Sequence, residues 1–193
     1  MRIYVGGVNG CGKTTVLREL SEITKLHYVH ATTDFMDFLD ISNDYAELRQ
    51  ISTNIRDKKF KQYVSDLISN QDNFLLDSHY TNLVNGERNQ IISDWIKAFD
   101  AVILITAPAD QLLNRIESGE KDRALFLESN STEQKLVVLQ DYQNWENNLF
   151  HQYVRKHKLT SIIINNGDGL LKNSISVLKN FLSSVDTRNR SPL

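Results

Sequence analysis

The sequence predicts an α/β fold in which helices cover both faces of a parallel β-sheet. Five short apolar segments have the length and composition of strands, and helical segments with apolar residues at every third or fourth position alternate with them. One strand, residues 101–106, lacks polar alternation, which indicates burial on both faces. Strands that alternate with helices form parallel sheets. A chain of 193 residues fits one such domain.

Composition narrows the class of protein. The net charge of -2 gives no overall attraction for nucleic acid, although a local basic patch stays open. The single cysteine, Cys11, excludes an intramolecular disulfide framework and agrees with a reducing cytoplasm. No apolar run approaches a membrane span, and the chain begins on its first predicted strand with no room for a signal peptide. We therefore expect a cytoplasmic protein without membrane contact, of open oligomeric state.

The first strand and the first helix flank a phosphate-binding motif. Residues 7–15, Gly-Val-Asn-Gly-Cys-Gly-Lys-Thr-Thr, fit the pattern G-x-x-x-x-G-K-[ST] between a strand at 3–5 and a helix with an apolar stripe. In such a loop, Lys13 reaches the β- and γ-phosphates and the Thr14 hydroxyl ligates Mg²⁺. The helix N-terminus favours anions as well. The predicted nucleotide-binding residues here are Gly7, Asn9, Gly10, Cys11, Gly12, Lys13, Thr14 and Thr15.

The second strand is predicted at residues 26–31, with Thr32, Thr33 and Asp34 as candidate N-caps for the helix that follows. From residue 44 to 69, apolar side chains recur every three or four positions, which indicates one long helix or two in series. Residues 74–77 form a third strand that ends in a carboxylate, and a loop follows at 78–82.

The second half of the chain repeats the alternation of helix and strand. Asn85-Gly86 marks a turn before an amphipathic helix at 87–99, and Pro108 stops the fourth strand before a helix at 109–118. The last predicted elements are a mobile connection at 119–130, a long helix from the Ser131–Glu133 cap to about 158, a strand at 161–164, a turn at 165–169, a helix ending near Ser184 and a C-terminal tail.

Polar residues follow the predicted strands, at the edge where parallel sheets bind ligands. Loops 7–14, 77–79, 106–109 and 166–169 should therefore share one rim of the sheet. Asp77 would bind the metal beside Thr14, and His79 would contact water or a second substrate. Phosphoryl transfer needs cations around the transferred group. The candidate cations are Arg49, Arg115, Lys121 and Arg123.

The order and spacing of these motifs resemble P-loop nucleoside monophosphate kinases, and in particular the archaeal adenylate kinases and Fap-type adenylate kinase-like proteins. Besides the loop at 7–15, the resemblance rests on the segments Ala31–Met36, Glu47–Arg49, Asp77–His79, Ala107–Ile116 and Asn166–Gly169, and it extends over nearly all 193 residues. The Asp77-Ser78-His79 segment resembles that family's Asp-x-His, and Arg49 resembles the arginine that grips the monophosphate.

The resemblance implies a three-layer P-loop NTPase fold with five parallel strands in the order 2-3-1-4-5. It also implies MgATP as the phosphoryl donor and a nucleoside monophosphate as the acceptor, with AMP as the leading candidate. It implies one kinase domain at 1–185, with an acceptor-binding helical insertion at 32–70, a short lid at 119–130 and a tail at 186–193. The implied roles are catalysis by Lys13, Asp77, Arg115 and Arg123, donor binding by Arg115 and Asn166, acceptor binding by Thr32, Asp34, Arg49 and His79, and metal binding by Thr14 and Asp77.

Two departures from that family keep other functions open. The lid segment contains only Lys121 and Arg123 as cations, and no arginine lies between residue 32 and Arg49. The alternatives are an ATPase switch acting on a protein or ribonucleoprotein, a kinase for another small acceptor such as a nucleoside or a shikimate-like metabolite, and a non-catalytic nucleotide-binding module.

Overall fold

A computed structural model describes residues 1–41, 45–84, 87–119, 125–126 and 131–190. Its seven strands are β1 (Arg2–Gly6), β2 (His27–His30), β3 (Phe74–Asp77), β4 (Thr81–Val84), β5 (Glu87–Gln90), β6 (Ala101–Thr106) and β7 (Thr160–Asn165). Its helices are α1 (Lys13–Thr24), α2 (Ala31–Phe38), α3 (Tyr45–Gln50), α4 (Thr53–Asn70), α5 (Ala109–Glu117), α6 (Thr132–His157) and α7 (Leu171–Arg190), with a short 3₁₀ helix at Asp94–Ala98.

The central sheet contains five parallel strands in the order β2-β3-β1-β6-β7. Counted within this sheet alone, the order is 2-3-1-4-5, which confirms the predicted architecture. In the register, Val5 of β1 lies opposite Asp77 of β3, and Gly6 lies opposite Leu104 of β6. The loop after β1 therefore begins beside the carboxylate that ends β3.

Hydrophobic cores lie on both faces of the sheet. Because side chains alternate along a strand, Ile3 and Val5 pack into one core with α1, α5 and α7, whereas Tyr4 packs into the other with α2 and α4. The long helix α6 contributes to both cores: Tyr142 belongs to the first and Phe150 to the second. This arrangement confirms the predicted three layers, and it fixes the rim of the sheet where the loops converge.

The predicted helix at 87–99 is wrong. Residues 87–90 form β5, which pairs with β4 in an antiparallel hairpin, and a short 3₁₀ helix follows at Asp94–Ala98. The Gln90 side chain donates hydrogen bonds to the Ile92 carbonyl and the Tyr153 hydroxyl, both at 2.7 Å, and so ties the strand to α6. Tertiary contacts therefore override the helical spacing of the apolar residues. The predicted Asn85-Gly86 turn lies outside the described residues.

Element boundaries also differ from prediction near the second strand. Helix α2 begins at Ala31 and not after the predicted caps, because the His30 Nδ1 accepts a hydrogen bond from the Thr33 backbone at 3.3 Å and caps the helix itself. Within the segment predicted to be helical from 44 to 69, the described residues form two helices, α3 and α4, which is one of the two predicted alternatives.

The terminal helix α7 is longer than predicted and includes much of the expected tail. Its buried stripe, which ends with Leu182 and Val185, holds it against the core, and the helix continues to Arg190. In the predicted lid, residues 120–124 and 127–130 lie outside the described residues. No helix among the described residues is long and apolar enough to span a membrane.

Candidate active site

The loop between β1 and α1, residues 7–14, is called the phosphate loop below. Gly7 and Gly12 have φ angles of 146° and 84°, a region that side chains with a Cβ rarely adopt. A Cβ on Gly7 would lie 2.2 Å from the Ile105 carbonyl oxygen, and one on Gly12 would lie 2.5 Å from the Asn166 amide nitrogen. Only glycine fits at both positions. The resulting backbone lets successive N–H groups turn toward an anion.

Lys13 folds over the phosphate loop and is almost buried, with 7% of its surface exposed. Its Nζ donates to the carbonyl oxygens of Gly7 at 2.6 Å and Val8 at 3.3 Å. These contacts satisfy a buried ammonium and hold it at the edge of the cavity, where it can meet a phosphate. Beneath it, burial raises the pKa of the Cys11 thiol, so this side chain packs as a small neutral group.

Asp77 and Thr14 form a pair suited to a hard cation. The Thr14 hydroxyl donates to Asp77 Oδ2 at 2.8 Å, and the Tyr28 hydroxyl donates to the same oxygen at 2.9 Å. Burial, and then the charge of Asp77, raises the pKa of Tyr28, so the phenol stays a donor that fixes the carboxylate. Hydroxyl and carboxylate oxygens are ligands that Mg²⁺ accepts alongside nucleotide phosphates, so Thr14 and Asp77 fit that ion.

No cluster of three or more His, Cys, Asp or Glu side chains that could hold a metal ion occurs in the described ranges. Thr14 and Asp77 together offer one hydroxyl and one carboxylate, a small oxygen ligand set that suits an ion whose other ligands are phosphate oxygens.

Arg115 connects the phosphate loop to the loop after β7. Its Nη1 donates to the Gly10 carbonyl at 3.1 Å and its Nη2 to the Asn166 carbonyl at 3.1 Å. Nη2 also lies 2.5 Å from Asp168 Oδ1, in an ion pair whose acid is largely exposed. The Asn166 amide donates to the Cys11 carbonyl at 2.9 Å. Hydrogen bonds thus connect Arg115 and Asn166, the residues predicted to bind the phosphoryl donor, to the phosphate loop. The loops after β1 and β7 therefore lie at the same rim of the sheet.

Glu146 lies under the turn that follows Asp77, with only 1% of its surface exposed. Its Oε2 accepts from the Tyr80 backbone at 3.0 Å, and its Oε1 lies 3.8 Å from His79 Nδ1. Burial raises the pKa of Glu146 to about 8, and the nearby Lys13 charge opposes that shift. The Tyr4 hydroxyl donates to the His79 carbonyl. Glu146 therefore supports the segment that carries both Asp77 and His79.

One cavity of about 640 Å³ runs from the phosphate loop to the helices α2, α3 and α4. We call the part lined by these helices and by the β4–β5 hairpin the acceptor side. The phosphate loop and α1 contribute Asn9, Gly10, Gly12, Lys13, Thr14 and Thr15 to the lining, and the acceptor side contributes Thr32, Phe35, Leu48, Arg49, Arg56, Phe60, Asn82 and Asn89 among others. Arg49 and Arg56 and the rings of Phe35, Tyr45 and Phe60 therefore line the part of the cavity formed by these helices.

The predicted acceptor residues are only partly brought together. Thr32, Arg49 and His79 line the cavity, whereas Asp34 does not. Asp34 lies in the first turn of α2, where burial raises the pKa of its carboxyl. Arg123, a predicted catalytic cation, lies outside the described residues, and its role stays a prediction.

Several residues of this site have no prediction from the sequence, among them Tyr28, Arg56, Asn82, Asn89 and Glu146. Glu146 carried a usable signal, because it lies four residues after Tyr142 and four before Phe150, and therefore on the buried stripe of α6. A glutamate is almost never fully buried unless its carboxylate has a partner, so its place on this stripe indicates a buried contact. The others have no local motif.

Comparison with known proteins agrees with this geometry. Residues 3–136 match the family described as AAA domain. A cytidylate kinase of Sulfolobus acidocaldarius is 30% identical over 125 residues, which cover 62% of this chain and 62% of that protein. The chain thus aligns with somewhat less than two thirds of this curated relative.

Solved structures of similar fold include shikimate kinases. The enzyme from Bacteroides thetaiotaomicron matches with a TM-score of 0.67 and 11% identity, covering 95% of this chain and 98% of that one. The Acinetobacter baumannii enzyme in complex with shikimate gives 0.65 and 16%, covering 94% and 93%. At such identities the likeness shows the fold. Together with the match over residues 3–136, it shows that the chain belongs to the AAA domain family and has a P-loop kinase fold.

Proposed function

We propose that this protein transfers the γ-phosphoryl group of ATP to a nucleoside monophosphate, with Mg²⁺ bound beside the phosphates. The observation that carries the proposal is the continuity of one cavity between the phosphate loop and the acceptor side. A protein that only bound ATP would need no second set of cationic and aromatic side chains facing the nucleotide's phosphates. We further propose that the chain is adenylate kinase-like within this class.

The transfer breaks the bond between the γ-phosphorus and the oxygen that bridges to the β-phosphate, and it forms a bond to an oxygen of the acceptor phosphate. ADP and a nucleoside diphosphate leave. Charge that builds on the transferred group needs cations held in place beforehand. Lys13 and Arg115 both line the cavity, and internal hydrogen bonds hold both. When bound at Thr14 and Asp77, Mg²⁺ would neutralise further charge on the β- and γ-phosphates.

The acceptor side offers the chemistry that a nucleotide monophosphate needs. Arg49 and Arg56 are suited to a phosphate, because the guanidinium group can bind two oxygens at once. The ring centroids of Phe35 and Phe60 lie 5.1 Å apart, with the rings nearly perpendicular, and the pair can form an apolar wall for a base. The sequence resemblance favours AMP as the acceptor, and the name of the Sulfolobus relative adds CMP as a second candidate.

The test is a coupled assay with ATP, Mg²⁺ and each of AMP, CMP, UMP, GMP and dTMP. We expect stoichiometric formation of ADP and a nucleoside diphosphate with at least one of them. ATP hydrolysis that needs a protein partner and leaves every monophosphate unchanged would instead support the ATPase switch. Turnover of shikimate or of a nucleoside, without turnover of monophosphates, would support a kinase for another small acceptor.

A further inference from the structure

The β4–β5 hairpin stands apart from the central sheet and has one face fixed against α6. Thr81 and Leu83 on that face are 0% and 2% exposed. The Tyr142 hydroxyl of α6 donates to the Thr81 carbonyl at 3.3 Å. Because the hairpin follows directly on the segment that carries Asp77 and His79, this anchoring holds it beside that segment, at the cavity.

The other face of the hairpin carries Asn82 and Asn89. The two residues lie directly opposite each other in the antiparallel register, so their side chains lie side by side on one face. Both are half-buried and both line the acceptor side of the cavity. Neither side-chain amide is hydrogen-bonded to another residue in the part of the chain that the structure describes. Two adjacent polar groups in a cavity therefore retain their hydrogen-bonding capacity for a ligand.

A carboxamide is neutral and offers one acceptor oxygen and two N–H donors. A nucleobase edge has the same mixture of donors and acceptors, and amide side chains pair with it in a bidentate manner. We propose that Asn82 and Asn89 read the edge of the acceptor's nucleobase, an inference that rests on the proposed function. The arginines of α3 and α4 are the better ligands for the acceptor phosphate, since they carry charge.

The surroundings of the amides also determine how selective they are. No described residue fixes the orientation of either amide, and a half-turn of the side chain exchanges its donor and acceptor atoms. The pair can therefore match amino bases, such as cytosine and adenine, and also keto bases, such as uracil. We expect CMP and UMP to be used with kcat/KM values within about tenfold of each other.

The test replaces one amide at a time with a carboxylate, which is nearly the same size but only accepts hydrogen bonds. For Asn82→Asp and Asn89→Asp, the ratio of kcat/KM for CMP to that for UMP should change about tenfold or more in at least one variant. A carboxylate facing the exocyclic group would favour CMP, and one facing ring N3 would favour UMP. The KM for ATP and the melting temperature should stay close to wild type.

Asn147→Asp is the matched control, because Asn147 is a half-buried amide in a separate groove, which α6 lines together with the segment that follows β6. It should leave the base ratio unchanged. If wild type phosphorylates monophosphates but neither hairpin variant moves the ratio by more than about threefold, the base-reading role is overturned while the kinase function stands. If wild type binds ATP but phosphorylates no monophosphate, the proposed function itself fails.

Discussion

The phosphate loop and the acceptor side share one cavity but are built in opposite ways. In the phosphate loop, glycines with positive φ angles shape the backbone, and carbonyl oxygens hold Lys13 and the neighbouring Arg115. On the acceptor side, side chains from α2, α3, α4 and the β4–β5 hairpin line the cavity, and the amides of Asn82 and Asn89 bond to no other described residue. Phosphate is common to all nucleotides, whereas the acceptor must be chosen. A rigid backbone suits the first task, and replaceable side chains suit the second.

The largest expected effect comes from Lys13→Ala. Because the buried ammonium of Lys13 is held in the phosphate loop by carbonyl oxygens, its loss should lower kcat by about a hundredfold or more with every acceptor. Turnover measured at saturating ATP and acceptor checks this, with Lys172→Ala on the exposed face of α7 as the control. If Lys13→Ala lowered turnover with one acceptor but not with another, the division between a general donor side and a selective acceptor side would be wrong.

Arg49→Ala tests the other half of the comparison. A charged hydrogen bond to the acceptor phosphate contributes about 1.5–3 kcal/mol, so the KM for the acceptor should rise by roughly ten- to a hundredfold. The KM for ATP should change little, because Arg49 lies on α3 and makes no described contact with the phosphate loop. Lys58→Ala, exposed on α4, is the matched control. An equal loss of affinity for ATP and acceptor would contradict the assignment of α3 to the acceptor.

The same contrast explains what the sequence could predict. The phosphate loop was predicted residue by residue because its chemistry is encoded within nine consecutive positions, 7–15, between a strand and a helix. The sheet order followed from the resemblance, and the alternation of strands with helices was evident from hydrophobic spacing. Local spacing is sufficient wherever a residue's neighbours in space are also its neighbours in the chain.

The acceptor side and its supports depend on contacts between distant residues. The hydrogen bond between Tyr28 and Asp77 joins positions 49 residues apart, and that between Tyr80 and Glu146 joins positions 66 apart. The structure has a hairpin where the sequence predicts a loop at 78–82 and a helix at 87–99, because Thr81 and Leu83 are buried against α6. No pattern in the local sequence contains that information.

Glu146→Gln tests a residue that lies between the two regions. The pKa of Glu146 is raised by burial to about 8 from 4.5, so the folded state holds a proton that the unfolded state releases. Wild-type stability should therefore fall as the pH rises from about 4.5 to 8, whereas the variant lacks this loss. Glutamine keeps the acceptor for the Tyr80 N–H. At pH 8 the variant should be more stable by at least about 1.4 kcal/mol, the equivalent of one pKa unit.

Urea unfolding of both proteins at a series of pH values measures this difference. It should vanish near pH 4, where the wild-type carboxyl is protonated in both states. Glu133→Gln, on the exposed first turn of α6, is the control: hydrogen bonds from its own backbone and from Ser131 lower the pKa of Glu133, so its variant should gain nothing at pH 8. A stability difference for Glu146→Gln that stayed constant from pH 5 to 8 would mean that the carboxyl titrates normally in the fold.

The smallest expected effect is that of Asp168→Asn, which separates the ion pair of Arg115 from its bonds to the phosphate loop. The side chain of Asp168 is 70% exposed, and exposed ion pairs contribute about 0–1 kcal/mol. The bonds from Arg115 to the carbonyls of Gly10 and Asn166 remain in this variant. The KM for ATP should therefore change by less than about threefold, whereas Arg115→Ala, which removes all of these contacts, should raise it by about tenfold or more. Equal effects of the two substitutions would show that the acid, and not the carbonyl oxygens, holds the arginine; the donor side would then depend on an exposed side chain as much as the acceptor side does.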